Sequence, residues 1–183
     1  CCLIAVPAFA TRQIQDKLHY QSKVYKIGGY GDFPLDVYFR SCPEEQRKKK
    51  YEILKSKGIY RSTACWRGHV ATWVIETNTL FLTQVEDGDS KRTADALKPI
   101  FGDKIKEGRL KAFWFSGPIR VEDKLLVFEA GKLIKTLSPG KETINKVHKD
   151  LKKKYSEQRK KDSQQSTAPV PQKAAQSAPS SVR

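Results

Sequence analysis

Several patterns that identify whole classes of protein are missing from this sequence. None of its 183 residues lies in an apolar run of about 18 residues, the length that a transmembrane helix requires. The nucleotide-binding P-loop and G-x-G-x-x-G motifs are absent, and so is the G-x-S-x-G turn of many hydrolases. No C-x-x-C or H-x₃-H pair is present to fix a tetrahedral metal site, so we predict no metal and no cofactor.

Acidic residues are scarce relative to basic ones. The chain has 20 Asp and Glu against 35 Lys and Arg, a net charge of +15 at pH 7. The excess is concentrated in residues 141–183, with 11 Lys or Arg and 4 Asp or Glu, and in the run Arg47-Lys48-Lys49-Lys50. Such basic character attracts nucleic acid, anionic lipid or acidic polysaccharide alike, and it can also be a solvated face that aids solubility.

Residues 1–10 are uncharged and apolar, and they close on Ala8-Phe9-Ala10. Small residues at the first and third positions before a cut are typical of a signal-peptide cleavage site, and polar sequence begins at Thr11. We therefore expect a signal-peptide remnant and export of the protein to a periplasmic or extracellular location. Two alternatives are a strand or helix that packs on the core, and a lipoprotein that carries its lipid on Cys1.

Cleavage after residue 10 would remove two of the four cysteines and leave Cys42 and Cys65. An even pair in an exported protein is a candidate disulfide. Such a bridge would close a loop of about 23 residues and contribute ~3 kcal/mol through chain entropy. The alternative is that both thiols are unpaired and behave as small buried hydrophobes.

The alternation of apolar and polar residues predicts an α+β fold, with one small domain over residues 11–138 built on an antiparallel β-sheet with two or three helices. A basic amphipathic helix is predicted over 139–161, because apolar residues recur there at three- and four-residue steps. The segment 162–183 contains little that could pack, so we expect a disordered tail.

Turn residues and β-branched or aromatic runs place the individual elements. A helix is predicted to begin at Ser41-Cys42-Pro43-Glu44 and to end at Gly58, and a shorter one follows Asp89 or Ser90. The strands are predicted over Val24–Ile27, Leu35–Phe39, Val70–Ile75, Leu80–Thr83, Leu110–Val121 with a bend at Gly117-Pro118, Leu125–Glu129 and Leu133–Thr136.

The densest chemistry lies between Ser62 and Trp73, just before a predicted strand. Cys65 could act as a nucleophile with His69 as its base. Residues four apart in a strand, however, are about 13 Å apart, which argues against direct contact. Because no third group is indicated to orient a base, we predict no catalytic residues.

Aromatic side chains offer a weaker indication of a binding groove. Trp66 and Trp114 are candidate binding residues, with the alternative that part of the aromatic set is core. Arg67 and His69 are the two further candidates. The Arg67 guanidinium can form a bidentate hydrogen bond with a carboxylate, either within the protein or on a ligand.

Four stretches of the chain together form a longer pattern. The segment Ser62–Ile75, followed by Leu80-Phe81-Leu82, resembles the pattern S-T-A-x-x-R-G-Y-x-x-T-W-E-I…L-Y-L shared by a family of small bacterial proteins. Phe113–Val121 is similar to the later W-F-T-G-x-I-R-I segment of that family, and Phe33-Pro34-Leu35 is similar to an early one.

The resemblance covers about Val24 to Thr136 and departs from the pattern at two positions. His69 stands where the family has Tyr, and Val74 stands where it has Glu. What the resemblance implies is a single compact domain of a bacterial protein. The family has no known activity, so it implies no function, and the basic helix and the tail lie outside it.

These observations favour an exported, non-catalytic binding module whose Lys-rich C-terminal helix associates with anionic components of the cell envelope. The ligand is an anionic surface or polysaccharide, and a protein partner is a further candidate. The alternatives are a hydrolase of unfamiliar type that uses Arg67, His69 or Asp36, and an inhibitor of another secreted protein. We expect nucleic acid to be an unlikely partner, because no stacking platform interleaves with the basic residues along the sequence.

Overall fold

Ten strands and four α-helices form in the part of the chain that the computed structural model describes, residues 14–28, 33–55, 65, 67–86, 91–140 and 143–165. The helices are α1 (Pro34–Ser41), α2 (Glu44–Lys55), α3 (Lys98–Phe101) and α4 (Ile144–Gln165). The strands are β1 (Asp16–Tyr20), β2 (Lys23–Ile27), β3 (Val70–Glu76), β4 (Thr79–Glu86), β5 (Lys91–Thr93), β6 (Ile105–Lys106), β7 (Arg109–Lys111), β8 (Gly117–Val121), β9 (Lys124–Glu129) and β10 (Lys132–Leu137).

All ten strands belong to one sheet, whose main order is β2-β1-β3-β4-β10-β9-β8. One edge of β4 pairs with β3, and its other edge is shared along its length by β10, β7 and β5. Every pairing is antiparallel except that of β1 with β3, which is parallel. The end strands β2 and β8 approach each other, so the sheet curls towards a barrel. The predicted α+β fold on a largely antiparallel sheet is confirmed.

Two hairpins form where the sequence predicts them. The turn between β3 and β4 places Thr77 and Asn78 at φ angles of 47° and 57°, and the turn between β9 and β10 places Ala130 and Gly131 at 45° and 76°. Two consecutive residues with positive φ match the right-handed twist of the flanking strands. These turns fix the register of both strand pairs.

The strand predicted over Leu35–Phe39 is wrong, because this segment is helix α1. Pro34 occupies the first turn, where its missing N–H is not needed, and the Val37 N–H donates to the Phe33 carbonyl oxygen at 3.0 Å. Leu35 and Phe39 are both buried. Their spacing of four residues places them on one face of a helix, where they reach the core together.

The continuous strand predicted over Leu110–Val121 is also wrong. It is split into β7 and β8, and the break lies before Gly117 instead of at the Gly117-Pro118 bend. In the gap the Phe115 N–H donates to the Ala112 carbonyl oxygen at 2.8 Å, and the Gly131 N–H donates to the Phe115 carbonyl oxygen at 2.8 Å. A local turn and one hydrogen bond from the β9–β10 turn therefore provide partners for backbone groups that a strand ladder would otherwise pair.

The remaining helices differ from the sequence prediction mainly at their ends. Helix α2 begins at Glu44, later than the predicted start at Ser41, because Ser41 ends α1 and donates its hydroxyl to the Tyr38 carbonyl oxygen at 2.7 Å. The predicted end of α2 at Gly58 lies outside the described residues. The short helix is a 3₁₀ turn over Ala94–Leu97 followed by α3, which has Pro99 in its first turn. Its predicted caps, Asp89 and Ser90, lie outside the described residues.

Helix α4 is the predicted basic helix, although its bounds differ. It begins at Ile144, where the N–H donates to the Gly140 carbonyl oxygen at 3.1 Å, and it extends to Gln165, beyond the predicted end at 161. The signal-peptide remnant over 1–10 and residues 166–183 of the tail lie outside the described residues. None of the helices described is both long and apolar enough to cross a membrane.

The core lies between the inner face of the sheet and helices α1 and α3. Trp73 on β3 is its largest fully buried side chain. Leu18 on β1, Leu82 on β4 and Phe128 on β9 point to the same interior, while Phe39 and Phe101 reach it from the two helices. On the opposite face of β8 and β9, α4 packs through its own buried Ile144 and Tyr155.

Gly131 and Gly140 form a matched pair for testing how tightly the sheet is packed. Their φ angles are +76° and +77°, but a Cβ at Gly131 would lie 2.6 Å from the Ala112 carbonyl oxygen, whereas one at Gly140 meets nothing within 4 Å. We expect Gly140→Ala to cost about 1–2 kcal/mol from the backbone conformation alone. Gly131→Ala should cost a further ~1–3 kcal/mol because the backbone must shift. Urea unfolding of both variants measures the difference, and equal losses would contradict this packing.

A buried arginine–aspartate cluster as the candidate functional site

Arg67, the strongest binding candidate from the sequence, is buried and only 1% exposed. Its Nη1 donates to Asp16 Oδ1 at 2.8 Å, and its Nη2 donates to the Ile14 carbonyl oxygen at 2.6 Å. Its Nε lies 3.6 Å from Oδ2 of Asp36, which is 3% exposed. The guanidinium therefore pairs with carboxylates of the protein itself and not with a carboxylate of a ligand.

Asp16 is the acceptor at the centre of this cluster. Besides Arg67, the Ala71 backbone N–H donates to its Oδ1 at 3.0 Å and the Trp73 indole N–H donates to its Oδ2 at 3.1 Å. Complete burial raises the pKa of the Asp16 carboxyl, while the Arg67 charge and these hydrogen bonds act against that rise. The Asp16 side chain of β1 thereby links Arg67 to Trp73, the main core residue of β3.

Phe33 covers the other side of the guanidinium. Cζ of Arg67 lies 3.3 Å from the centre of the Phe33 ring, which is a close cation–π contact. Gly28 lies directly against that ring, since a Cβ there would come within 2.3 Å of Phe33 Cδ1, and its φ is +83°. The glycine at the end of β2 therefore leaves the space in which the ring covers the arginine.

His69 and Cys65 are also buried, at 1% and 7% exposure. His69 Nδ1 lies 3.1 Å from the Arg67 carbonyl oxygen, and because a carbonyl only accepts, Nδ1 carries the proton of this bond. The Cys65 thiol donates to the His69 carbonyl oxygen at 3.5 Å. The chain turns here, with the Gly68 N–H bonded to the Cys65 carbonyl oxygen at 2.9 Å, so the extended geometry expected from the sequence does not apply.

The three candidate binding residues that the structure describes do not form one groove. Arg67 and His69 lie together in the buried cluster. Trp114 is half-buried elsewhere, stacks on Phe101 at 5.3 Å and donates from its indole N–H to the Pro34 carbonyl oxygen at 2.8 Å. Trp66 lies outside the described residues.

The sequence prediction missed Asp16 as the partner of Arg67, although a signal was present. Asp16, Leu18 and Tyr20 alternate along one face of a strand, so an ionisable residue was directed into the interior with its apolar neighbours. The parallel pairing of Leu18 with Trp73 then brings Asp16 next to the segment that carries Arg67. A pairing between residues more than 50 positions apart is not visible from local patterns.

Cys42 and Cys65 are both free thiols, so the bridge that the sequence allowed is not formed. Cys42 lies half-buried between α1 and α2 beside Tyr38. Burial raises the pKa of the Cys42 thiol, with Tyr38 and Arg47 acting against the rise, and burial together with Cys42 raises the pKa of Tyr38 to about 12. Within the residues that the structure describes, no group of three His, Cys, Asp or Glu side chains could hold a metal ion.

A comparison of the chain with protein-family models, with curated proteins and with solved structures found no match. The resemblance to a bacterial family pattern therefore remains a sequence-based prediction. What this protein does is therefore inferred from the chemistry and exposure of its own residues.

The cluster should behave as a buried ion pair whose partners cannot be separated without loss of stability. Asp16→Ala leaves the Arg67 guanidinium without its shortest carboxylate contact, and we expect a loss of about 3–5 kcal/mol in the free energy of unfolding. Glu76→Ala, which removes the partner of exposed Arg109, should cost about 1 kcal/mol or less. Chemical denaturation measures both, and similar small losses would contradict a stabilising role for the cluster.

The free thiols predict an order of alkylation. In the folded protein Cys42 should react with iodoacetamide before Cys65, whose burial protects it until unfolding. Because the pKa of Cys42 is raised, its reaction rate should continue to rise with pH beyond 9.0, the ordinary value for the thiol. Peptide mapping by mass spectrometry assigns the sites, and a linked Cys42–Cys65 peptide in a non-reduced digest would overturn the prediction.

Proposed function

We propose that this protein is an exported, non-catalytic binding module that associates with anionic envelope components through the lysine face of α4. The observation that carries the proposal is how the helix is oriented. Ile144 and Tyr155 are buried against the sheet, and Val147 and Leu151 between them are half-buried. The apolar stripe is therefore used within the molecule, and what α4 presents to solvent is charge.

The outward face of α4 is predominantly basic. The helix contains eight Lys or Arg and three Asp or Glu, a net charge of +5. Lys146, Lys149 and Lys153 are exposed and recur at three- and four-residue steps on the side opposite Ile144. Lysines held in a row by a docked helix attract an anionic surface or polysaccharide without inserting into it.

The buried cluster favours a binding module over the hydrolase alternative. A hydrolase that used Arg67, His69 or Asp36 would need these groups to reach a substrate, and they are only 1–3% exposed. Their contacts serve instead to connect β1, β3 and α1. Export is the part of the proposal that rests on residues 1–10.

The test compares two triple variants with the same change in net charge. Lys146→Gln, Lys149→Gln and Lys153→Gln together should weaken binding to anionic phosphatidylglycerol vesicles about 100-fold, since each lysine near the surface contributes ~1 kcal/mol. Lys91→Gln, Lys106→Gln and Lys124→Gln remove three exposed lysines from strands β5, β6 and β9 and should change binding little. Vesicle cosedimentation at about 0.05 M salt measures both, with neutral vesicles as a blank.

Two further measurements complete the test. Alginate in place of vesicles distinguishes a polysaccharide from a lipid source of the negative charge, and the α4 variant should lose affinity for whichever polymer or surface binds. Binding should disappear at about 0.5 M salt because the charges are exposed and screened. Equal losses in the two triple variants, or binding that persists at high salt, would contradict the proposal.

A further inference from the structure

A row of side chains crosses the outer face of the sheet on five neighbouring strands. Register pairs the members directly with one another from strand to strand. In order across β2, β1, β3, β4 and β7, the row consists of Val24, His19, Val74, Phe81 and Lys111. We refer to these five residues as the outer row.

The apolar members of the outer row are not part of the core. Val74 and Phe81 are half-buried, but neither belongs to the core cluster nor to the partly buried side chains packed against it. Their strand neighbours Trp73 and Leu82 point to the interior, as the alternation of a strand requires. Val24, at the end of the row, is 59% exposed. Three of the five residues of the outer row are therefore apolar side chains on the outside of the sheet.

Helix α4 packs against the same outer face of the sheet at β8 and β9. Its outer side at β8 and β9 includes the paired residues Arg120 and Leu125, and the Arg120 guanidinium donates to Asn145 of α4. Val127 continues this side along β9 and is buried. A helix with one apolar stripe is thus a partner that this sheet surface packs against.

The surroundings of the outer row are basic. Lys26 and Lys17 are paired in the adjacent row on β2 and β1, and Lys111 closes the outer row itself. Lys17 is neutralised by Glu86, 2.8 Å away, which leaves an excess of positive charge from Lys26 and Lys111. A second copy of this chain would bring the same lysines together, whereas an acidic partner would be attracted.

From these contacts we infer that the outer row is the docking site for an acidic amphipathic helix of a partner protein. The row spans four strand spacings of about 4.8 Å, or ~19 Å. At about 1.5 Å per residue, a helix of ~13 residues covers that length. Its apolar stripe would lie on Val74 and Phe81, and its carboxylates would pair with Lys26 and Lys111.

A protein helix fits the row better than single-stranded nucleic acid does. Successive bases each need an aromatic face on which to stack, and Phe81 is the row's one benzene ring, flanked on one side by Val74. Aliphatic and aromatic side chains within a charged border are instead the composition of a protein-binding surface. The experiment therefore compares binding of a single-stranded nucleic acid with binding of the helical peptide.

The probe is a designed helical peptide of about 15 residues, with leucines on one face and glutamates on both flanks. Fluorescence anisotropy of the labelled peptide with the full chain should give saturable binding, and amide chemical-shift changes should cluster on β1, β3 and β4. A peptide of the same length with lysine in place of glutamate should bind at least about tenfold more weakly, because the charge is then repulsive.

Variants of the chain locate the site. Phe81→Ala should weaken peptide binding about tenfold or more, since it removes the largest apolar contact of the row. Lys26→Glu with Lys111→Glu should do the same and should restore binding of the lysine peptide. The triple α4 variant described above serves as the control and should keep its affinity, which separates this site from the proposed envelope-binding face.

Several results would overturn the inference. Peptide affinity that depends on the α4 lysines and not on Phe81 would place the contact on α4. Oligothymidylate that binds in a Phe81-dependent way while the acidic peptide does not would assign the row to nucleic acid. Concentration-dependent sedimentation abolished by Phe81→Ala would assign it to self-association. Circular dichroism confirms that each variant is folded before its affinity is compared.

Discussion

The ion pair between Arg67 and Asp16 is the contact on which the rest of this structure depends. Two charges removed from water are unfavourable unless other groups compensate them. Here the guanidinium donates to Asp16 and to a backbone oxygen, its Nε lies 3.6 Å from an Asp36 carboxylate oxygen, and an aromatic ring covers it. Three pieces of the fold meet at this point, since Asp16 belongs to β1, Asp36 to α1, and Arg67 to the turn before β3. Loss of Arg67 or of Asp16 leaves a buried charge without its nearest partner.

The cluster also explains why the densest sequence motif is not an accessible site. A thiol, a guanidinium and an imidazole within five residues suggest chemistry, yet Cys65, Arg67 and His69 all point inward and bond to backbone or to internal carboxylates. The exposed lysines of α4 and the outer row, to which the two proposals assign binding, lie elsewhere on the surface. The buried polar contacts hold β1, α1 and the turn before β3 in one arrangement, whereas the exposed charges lie on the surface.

The sequence predicts those parts of the fold that depend on interactions between residues close together in the chain. The hairpins around Thr77-Asn78 and Ala130-Gly131 depend on turn residues, and α4 depends on its apolar period, so each was found from sequence. The apolar residues of Leu35–Phe39 suit the periodicity of a strand as well as that of a helix, and only the packing of Leu35 and Phe39 against the core decides for a helix. The partner of Arg67 and the outer row arise from strand register, which a single sequence does not contain.

The parallel pairing of β1 with β3 has a consequence for how the chain folds. Antiparallel neighbours such as β3 and β4 are joined by a short turn, whereas Leu18 meets Trp73 only after a long loop has closed. Loop closure of this kind is entropically unfavourable until the contacts behind it form, so pairings distant in sequence slow folding. Until that pairing forms, Asp16 does not lie next to Arg67, and burial of the unpaired guanidinium is unfavourable. Pairing of β1 with β3 and formation of the buried ion pair are therefore coupled, since the same step brings Asp16 to Arg67.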